Sequence, residues 1–363
     1  MGKITFECEI ITPMFMYGGD GKTLELRPSE FKGMLRFWWR ALHPELSVEE
    51  LKEKENEIFG STERKSSFRI KTKIIKELKG NNLSLRNHNT KGINYLFYSM
   101  FLGDNKNKEY FKPGTKFKLT FIFRKEKHIK DILAVFWLLT YLGALGSRSR
   151  RGAGSFRITG IQDSQNLISK ANLNFLVNEE REFQDNLRKL LPKRQDEKSY
   201  INLGNFQLFI HRNSFSSWKE ALDDVGKSLQ NFRNKREPDY STVKNFILNG
   251  GIGEVKRPAF GLPLMYRYKS LSGKSATLEG SNKERQRSGS PLFIKILQFN
   301  NYFKPLLIFF EKELLPKGEK VKISSKNQPK SKFLNVPDLS IVNEFLNQLI
   351  SENKIEGVNL NDS

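Results

Sequence analysis

Cysteine is all but missing. Cys8 stands alone in 363 residues, which excludes an internal disulfide framework and any multi-cysteine zinc or iron–sulfur site. Histidine is scarce too: His43, His88, His128 and His211 lie far apart and show none of the spacings that metal ligands need. Acidic residues number 40 against 62 basic ones, a net charge of +22. That deficit of negative charge argues against cationic substrates and suits a polyanion, either nucleic acid or an acidic membrane surface. No long apolar run is present. The most apolar stretch, residues 132–145, includes Thr140, Tyr141 and Gly143 and falls short of the roughly 18 residues a membrane span needs. It predicts a buried helix. The opening residues lack the apolar centre of a signal peptide, and Phe6 stands where a myristoylation pattern needs Ser or Thr, so cytoplasmic residence is expected.

Phenylalanine, by contrast, is abundant. With 29 Phe, 37% hydrophobic and 28% charged residues, the chain has the composition of a folded protein, and its length suits about two domains. Two basic segments flank a balanced one, residues 161–200, with seven charges of each sign. Within it, 167–191 reads as helical, with Leu187, Leu190 and Leu191 on one seam and Pro192 as a stop. The expected organisation is a domain over 1–165, a helical connector over 166–199 and a second domain over 200–363.

In the first block, Ile4, Phe6, Cys8 and Ile10 alternate with polar residues as in a half-buried strand. A glycine turn at 18–21 follows, then a helix to Leu42 with Ser29 as N-cap, and a second helix opened by a Ser47/Glu50 capping box. Strands are expected over 68–75 and 117–123, a helix over 129–145 and a strand over 156–161. The second block repeats the order: a strand over 206–210, a helix over 218–232, a hairpin from 292–299 and 306–310, and a closing helix over 341–350. This predicts an α+β fold of two tandem ferredoxin-like, RNA-recognition-like domains with insertions. The polar stretches 81–94 and 271–290 read as flexible loops.

The helix around Phe31 carries the most information. Phe31, Met34, Leu35, Trp38, Ala41 and Leu42 gather on one face at 100° per residue, and Lys32, Arg36 and Arg40 form a stripe on another. Trp39 falls on the border and Phe37 off the core face. Cations flanked by a ring are the pattern of a single-stranded nucleic-acid groove; the plainer alternative is a solvated basic face with Trp39 half buried. Residues 143–154 form a glycine-rich turn with Arg148, Arg150 and Arg151 beside Gly152 and Gly154, and Arg157 behind. Glycines let a backbone approach a ligand and arginines grip phosphate, although a solvated turn would look similar. The order helix–loop–strand is wrong for a dinucleotide or P-loop site, so no cofactor is expected. In the second block, residues 250–253 lead into Lys256 and Arg257, and the 271–290 loop ends with Arg285 and Arg287.

Several of these segments resemble a known family. Residues 11–19 (ITPMFMYGG), Glu25-Leu26-Arg27-Pro28 leading into 32–42 (KGMLRFWWRAL), and Ile58-Phe59-Gly60 are similar to the first RAMP-superfamily subunit of type III-B CRISPR Cmr effector complexes. Residues 146–156 resemble the superfamily's glycine-rich loop, and 260–263 (FGLP) and 287–292 (RSGSPL) its second-domain signatures, with Gly289 where Ala is expected. The resemblance implies two ferredoxin-like domains and a role in antiviral defence. It implies binding of single-stranded CRISPR RNA and target RNA near the guide's 3′ end, and docking with other RAMP subunits. It also implies no catalysis by this subunit, and no metal, cofactor, membrane or small-molecule partner is expected. Candidate RNA contacts are therefore Arg27, Lys32, Arg36, Trp39, Arg40, Arg148, Arg150, Arg151, Gly152, Gly154, Lys256, Arg257, Arg285 and Arg287. Since other RAMP proteins cleave RNA, a metal-independent endoribonuclease processing CRISPR RNA is the alternative, with His43 or Asp20 assisting 2′-hydroxyl attack. Both residues also have simpler roles, His43 at a helix C-terminus and Asp20 in a turn.

Overall fold

Alternation along the first strand decides which way the first sheet faces. A computed structural model describes residues 2–234 and 237–360, with Met1 outside them. In β1 (Gly2–Ile10), Ile4, Phe6, Cys8 and Ile10 point inward and Lys3, Glu7 and Glu9 outward. β2 (Phe68–Lys76), β3 (Lys116–Phe123) and β4 (Phe156–Gln162) join it in the antiparallel order β2-β3-β1-β4. Helices α1 (Pro28–Leu42) and α4 (Ile129–Tyr141) cover the inner face, where Phe31 meets Phe117 at 5.9 Å and Phe6 meets Phe136 at 4.7 Å. Helices α2 (Val48–Phe59) and α3 (Lys91–Leu96) lie between α1 and β3 in sequence.

The second block repeats this topology. After α5 (Glu180–Arg188), β5 (Phe206–His211) and α6 (Trp218–Arg233) are followed by an insertion that begins with α7 (Asp239–Asn249) and the strands β6 (Leu264–Arg267) and β7 (Ser275–Gly280). The hairpin β8 (Leu292–Phe299) and β9 (Tyr302–Phe310) comes next, then β10 (Val321–Ser324), β11 (Lys332–Leu334), α8 (Ser340–Ser351) and β12 (Ile355–Gly357). The main sheet has the order β8-β9-β5-β12, which matches the first sheet strand for strand. These are tandem ferredoxin-like units.

The two units stack, and the stacking explains the phenylalanines. One face of the second sheet packs on α6 and α8 through Leu307, Phe309, Phe232 and Phe345. Its other face, with Phe293, Leu306, Ile308 and Phe310, shares a core with α1 and α4 of the first unit. Trp38 lies 6.5 Å from Phe310, and Phe37 stacks on Phe293 at 6.4 Å. The layers therefore run sheet, helices, sheet, helices. A sheet buried on both faces needs continuous apolar strands, and β9 carries Leu306-Leu307-Ile308-Phe309-Phe310 without a break. Phe37, off the core face of its own helix, fills this seam between units.

Several expectations need correction. Helix α1 starts at Pro28, with Arg27 rather than Ser29 at the N-cap, because proline is pre-set for the first helical position. The Ser47/Glu50 capping box is present. Helix α4 stops at Tyr141, where the chain turns into Gly143. The 167–191 segment is a 3-10 turn over Leu167–Ala171 followed by α5. Neither polar stretch is a plain loop. Residues 81–94 contain a short helix, Asn82–Leu85, and the start of α3, while 271–290 contains β7, which joins β6, β10 and β11 in a third antiparallel sheet. Short strands with polar outer faces left little periodic signal.

Helix α3 ties the units together at a glycine crossing. The Asp223 carboxylate accepts from the amides of Gly92 (2.7 Å) and Ile93 (3.1 Å), the charge arrangement a helix N-terminus favours. A Cβ on Gly226 would lie 2.5 Å from the Gly92 carbonyl carbon, so only glycine lets these backbones meet. Gly226→Ala is expected to separate the helices and cost about 1–3 kcal/mol, read as a lower urea midpoint; an unchanged midpoint would refute the tight crossing.

Candidate nucleic-acid interface

The glycine–arginine turn lies where the units meet. Arg151 forms a parallel bridge with Ile294, and the Ile294 amide donates to the Arg150 carbonyl at 3.2 Å, which sews the turn to β8. The three arginines reach carbonyls. Arg148 donates to Leu96 with its guanidinium over Tyr98, Arg151 donates to Phe260 (2.9 Å), and Arg150 donates to Ser290 (3.0 Å). Arg150 also sits over the rings of Phe293 (4.6 Å) and Phe37 (6.0 Å). Burial lowers the pKa of all three, and none forms an ion pair among the described residues. This replaces the picture of a solvated or partnerless turn. Gly152 and Gly154 have φ of +85° and +71°, and a Cβ on Gly154 would lie 1.8 Å from the Leu145 carbonyl oxygen. Gly154 lets two backbones meet, and Gly152 makes room for the Leu222 side chain.

Beside Arg150 opens a groove of about 290 Å³ whose walls include Phe37, Arg285, Arg287, Gly289 and Lys312, with Glu313 also on its lining. Arg287 is exposed and has no hydrogen bond or ion pair among the described residues, whereas Arg285 lies 3.5 Å from Glu319. Lys312 donates to the Ser288 hydroxyl (3.1 Å), and burial, with the nearby Arg150 charge, pushes its ammonium down to about 8. Gly289 now has a reason. A Cβ there would lie 2.0 Å from an Arg150 guanidinium nitrogen, so glycine leaves the guanidinium room to reach the groove. Lys312 was not legible beforehand, because Glu311-Lys312-Glu313 reads as a neutral surface run.

The helix α1 stripe is placed differently. Arg36 and Arg40 both bind the buried Glu55 of α2, at 2.8 and 2.9 Å, and Arg36 also donates to the carbonyls of Phe59 and Gly60. Trp39 is only 2% exposed and lies between His43 (4.7 Å) and Phe59 (6.4 Å), so it offers no ring to a base. Helix α2 covers the face that sequence periodicity assigned to solvent. Lys32 turns to a separate cleft. Arg27 donates to the Tyr17 carbonyl at 3.4 Å. Lys256 and Arg257 lie away from the groove: their amides donate to Asp239, and the Arg257 guanidinium donates to the Arg233 carbonyl.

The residues of the nuclease alternative are engaged elsewhere. His43 Nδ1 is 3.1 Å from Glu45. Asp20 accepts from the Lys22 and Thr23 amides and the Thr23 hydroxyl, which hold its carboxyl down to about 2, too low for a base at neutral pH. Among the described residues no group of three or more His, Cys, Asp or Glu could hold a metal, and no helix is long and apolar enough to cross a membrane.

Comparison with known proteins follows the same lines. The family model described as the RAMP superfamily matches residues 7–157. CRISPR system Cmr subunit Cmr1-2 of Pyrococcus furiosus is 32% identical over 185 residues, 45% of this chain and 98% of that protein. Subunit Cmr1-1 of the same organism is 27% identical over 271 residues, 69% and 78% of the two chains. The crystal structure of apo Cmr1 from P. furiosus superposes with a TM-score of 0.66 at 22% identity, covering 98% of each chain. A chain of the type III-B Cmr-beta complex bound to cognate target RNA, solved by cryo-EM, gives 0.55 at 14% identity over 97% and 99%.

Proposed function

The chain belongs to the RAMP superfamily, among the Cmr1 subunits, and on that premise we propose that it binds single-stranded RNA in the junction groove as a non-catalytic subunit. It is a Cmr complex subunit of a type III-B CRISPR system, with RNA and other RAMP subunits as partners. The bound strand is CRISPR RNA or its target near the guide's 3′ end. One observation carries the reading: Arg150, Arg287 and Lys312 converge beside Phe37 on one groove without ion pairs among the described residues. Cations that track phosphates beside an aromatic ring are what single-strand grooves use.

Fluorescence anisotropy with labelled single-stranded RNA tests it. Arg287→Ala and Lys312→Ala are each expected to weaken binding and to flatten the log–log salt slope by about 0.7, one phosphate each. Because Lys312 loses its proton near pH 8 in the free protein and a phosphate favours the charged form, affinity should fall as pH rises through about 8. Lys312→Met should remove that fall. Labelled RNA should remain intact with or without Mg²⁺, and cleavage abolished by His43→Ala or Asp20→Ala would establish the endoribonuclease instead. Wild-type affinity and salt slope in both groove variants would overturn the assignment of the groove.

A further inference from the structure

The outer face of the first sheet is the open outside of the stack, and its charge is lopsided. Strand β2 presents Arg69, Lys71 and Lys73 outward, all exposed. The register sets Lys73 directly against Lys118 of β3, and Lys76 against Lys116. Like charges facing each other across strands destabilise a sheet. Lysines on an edge strand protect it from pairing with another chain, but that protection does not require more lysines on β3, the strand inside. The acids of this face are already engaged: Glu7 with Lys118 at 3.0 Å, and Glu9 with Arg157 at 2.7 Å. At the β2 edge the basic surface continues into a cleft of about 350 Å³ lined by Lys32, Lys65, Arg69 and Arg124, none in an ion pair among the described residues. Burial and the neighbouring Arg36 and Arg124 charges lower the pKa of Lys32.

We propose that this face, running from Lys118 across Arg69, Lys71 and Lys73 to the Lys32 cleft, is a second RNA surface that takes the backbone of an A-form duplex. The proposal rests on the RNA-binding reading above and adds the form of RNA bound. Same-face cations recur about every 7 Å along a strand, so the face is a lattice of positive charge suited to phosphates. Its outward positions on β1, β2 and β3 carry no aromatic residue. Sheets that read single strands stack bases on rings, whereas duplex RNA is recognised by shape and by phosphate and 2′-hydroxyl contacts. Thr120, half-buried in the middle of the face with its hydroxyl 2.9 Å from that of the buried Thr5, can exchange a hydrogen bond with a 2′-hydroxyl. An acidic protein surface fits less well, because protein interfaces are anchored by buried aromatics that this face lacks.

The triple variant Arg69→Glu/Lys71→Glu/Lys73→Glu changes only exposed side chains, and thermal melting checks that it folds. It is titrated with a labelled duplex of about 16 base pairs and with one of its strands alone. Duplex affinity is expected to fall at least about tenfold while single-strand affinity stays within about threefold. Lys312→Ala should show the reverse preference, so the junction groove and this face fail separately. No duplex binding by the wild-type protein overturns the proposal, as does a triple variant that binds duplex normally or loses both RNAs in parallel. If the variant keeps both RNAs but no longer co-purifies with the other subunits of its complex, the face docks protein and the proposal falls.

Discussion

Trp39→Ala is expected to destabilise the protein by about 3–5 kcal/mol, as much as Trp38→Ala. Both indoles are buried, at 2% and 0% exposure, in the core that the two units share. Trp38 fills the seam against Phe310, and Trp39 fills the angle between α1 and α2 against Phe59. Removing either ring leaves a cavity bounded by other large side chains that cannot collapse freely. Both indole N–H groups lack a partner among the described residues. Trp39→Phe therefore keeps most of the packing and removes an unpaired donor, and should cost far less than Trp39→Ala. Urea melts of the three variants provide the check. A Trp39→Ala protein that melts like wild type but loses RNA affinity would restore the stacking role and contradict the burial.

The contrast between the two tryptophans shows what a single helix's periodicity can and cannot reveal. A 100° repeat finds the stripe facing the helix's own sheet, and it placed Phe31, Leu35 and Trp38 correctly. It carries no information about a second layer. Helix α1 is covered on three sides, by its own sheet, by α2 and by the second sheet, so Phe37, Arg36 and Trp39 face protein where an isolated amphipathic helix would face water. The ferredoxin-like order was legible because strands with alternation or continuous apolar character, such as β3 and β9, announce themselves locally. The third sheet was not, since its strands are short and framed by polar residues. The same holds for the site. Arg150, Arg285 and Arg287 were legible as basic positions, but Lys312 meets Arg285 and Arg287 only through the fold of the second unit, and Arg150 joins them only through the stacking of the units, which no local pattern encodes.

Lys295→Met is expected to stabilise the protein, and to do so in a pH-dependent way. Lys295 lies on β8 on the side facing the first unit, is 1% exposed, and donates its one hydrogen bond to the Gly143 carbonyl at 2.5 Å, with the Phe156 ring 5.8 Å away. No carboxylate pairs with it among the described residues, and burial pushes its pKa down to about 7. In the unfolded chain the ammonium keeps its proton up to about 10.4. Between these two values the unfolded state binds more protons, so this residue makes stability rise with pH, by up to about 1.4 kcal/mol per unit. Below pH 7 both states are protonated and the full cost of burying the charge is felt. Methionine has a similar length and no charge to desolvate, and replacing buried charge with well-packed apolar side chains commonly gains about 1–4 kcal/mol. The gain should be largest at and below pH 7 and shrink steadily toward pH 10, because neutral lysine already escapes most of the penalty. Lys312, pushed down to about 8, contributes a similar slope to both proteins and cancels in the comparison. Melts of wild type and Lys295→Met from pH 6 to pH 10 read the difference directly. Parallel stability curves, or a variant less stable at pH 6, would mean that the ammonium between the two units is compensated by the protein around it.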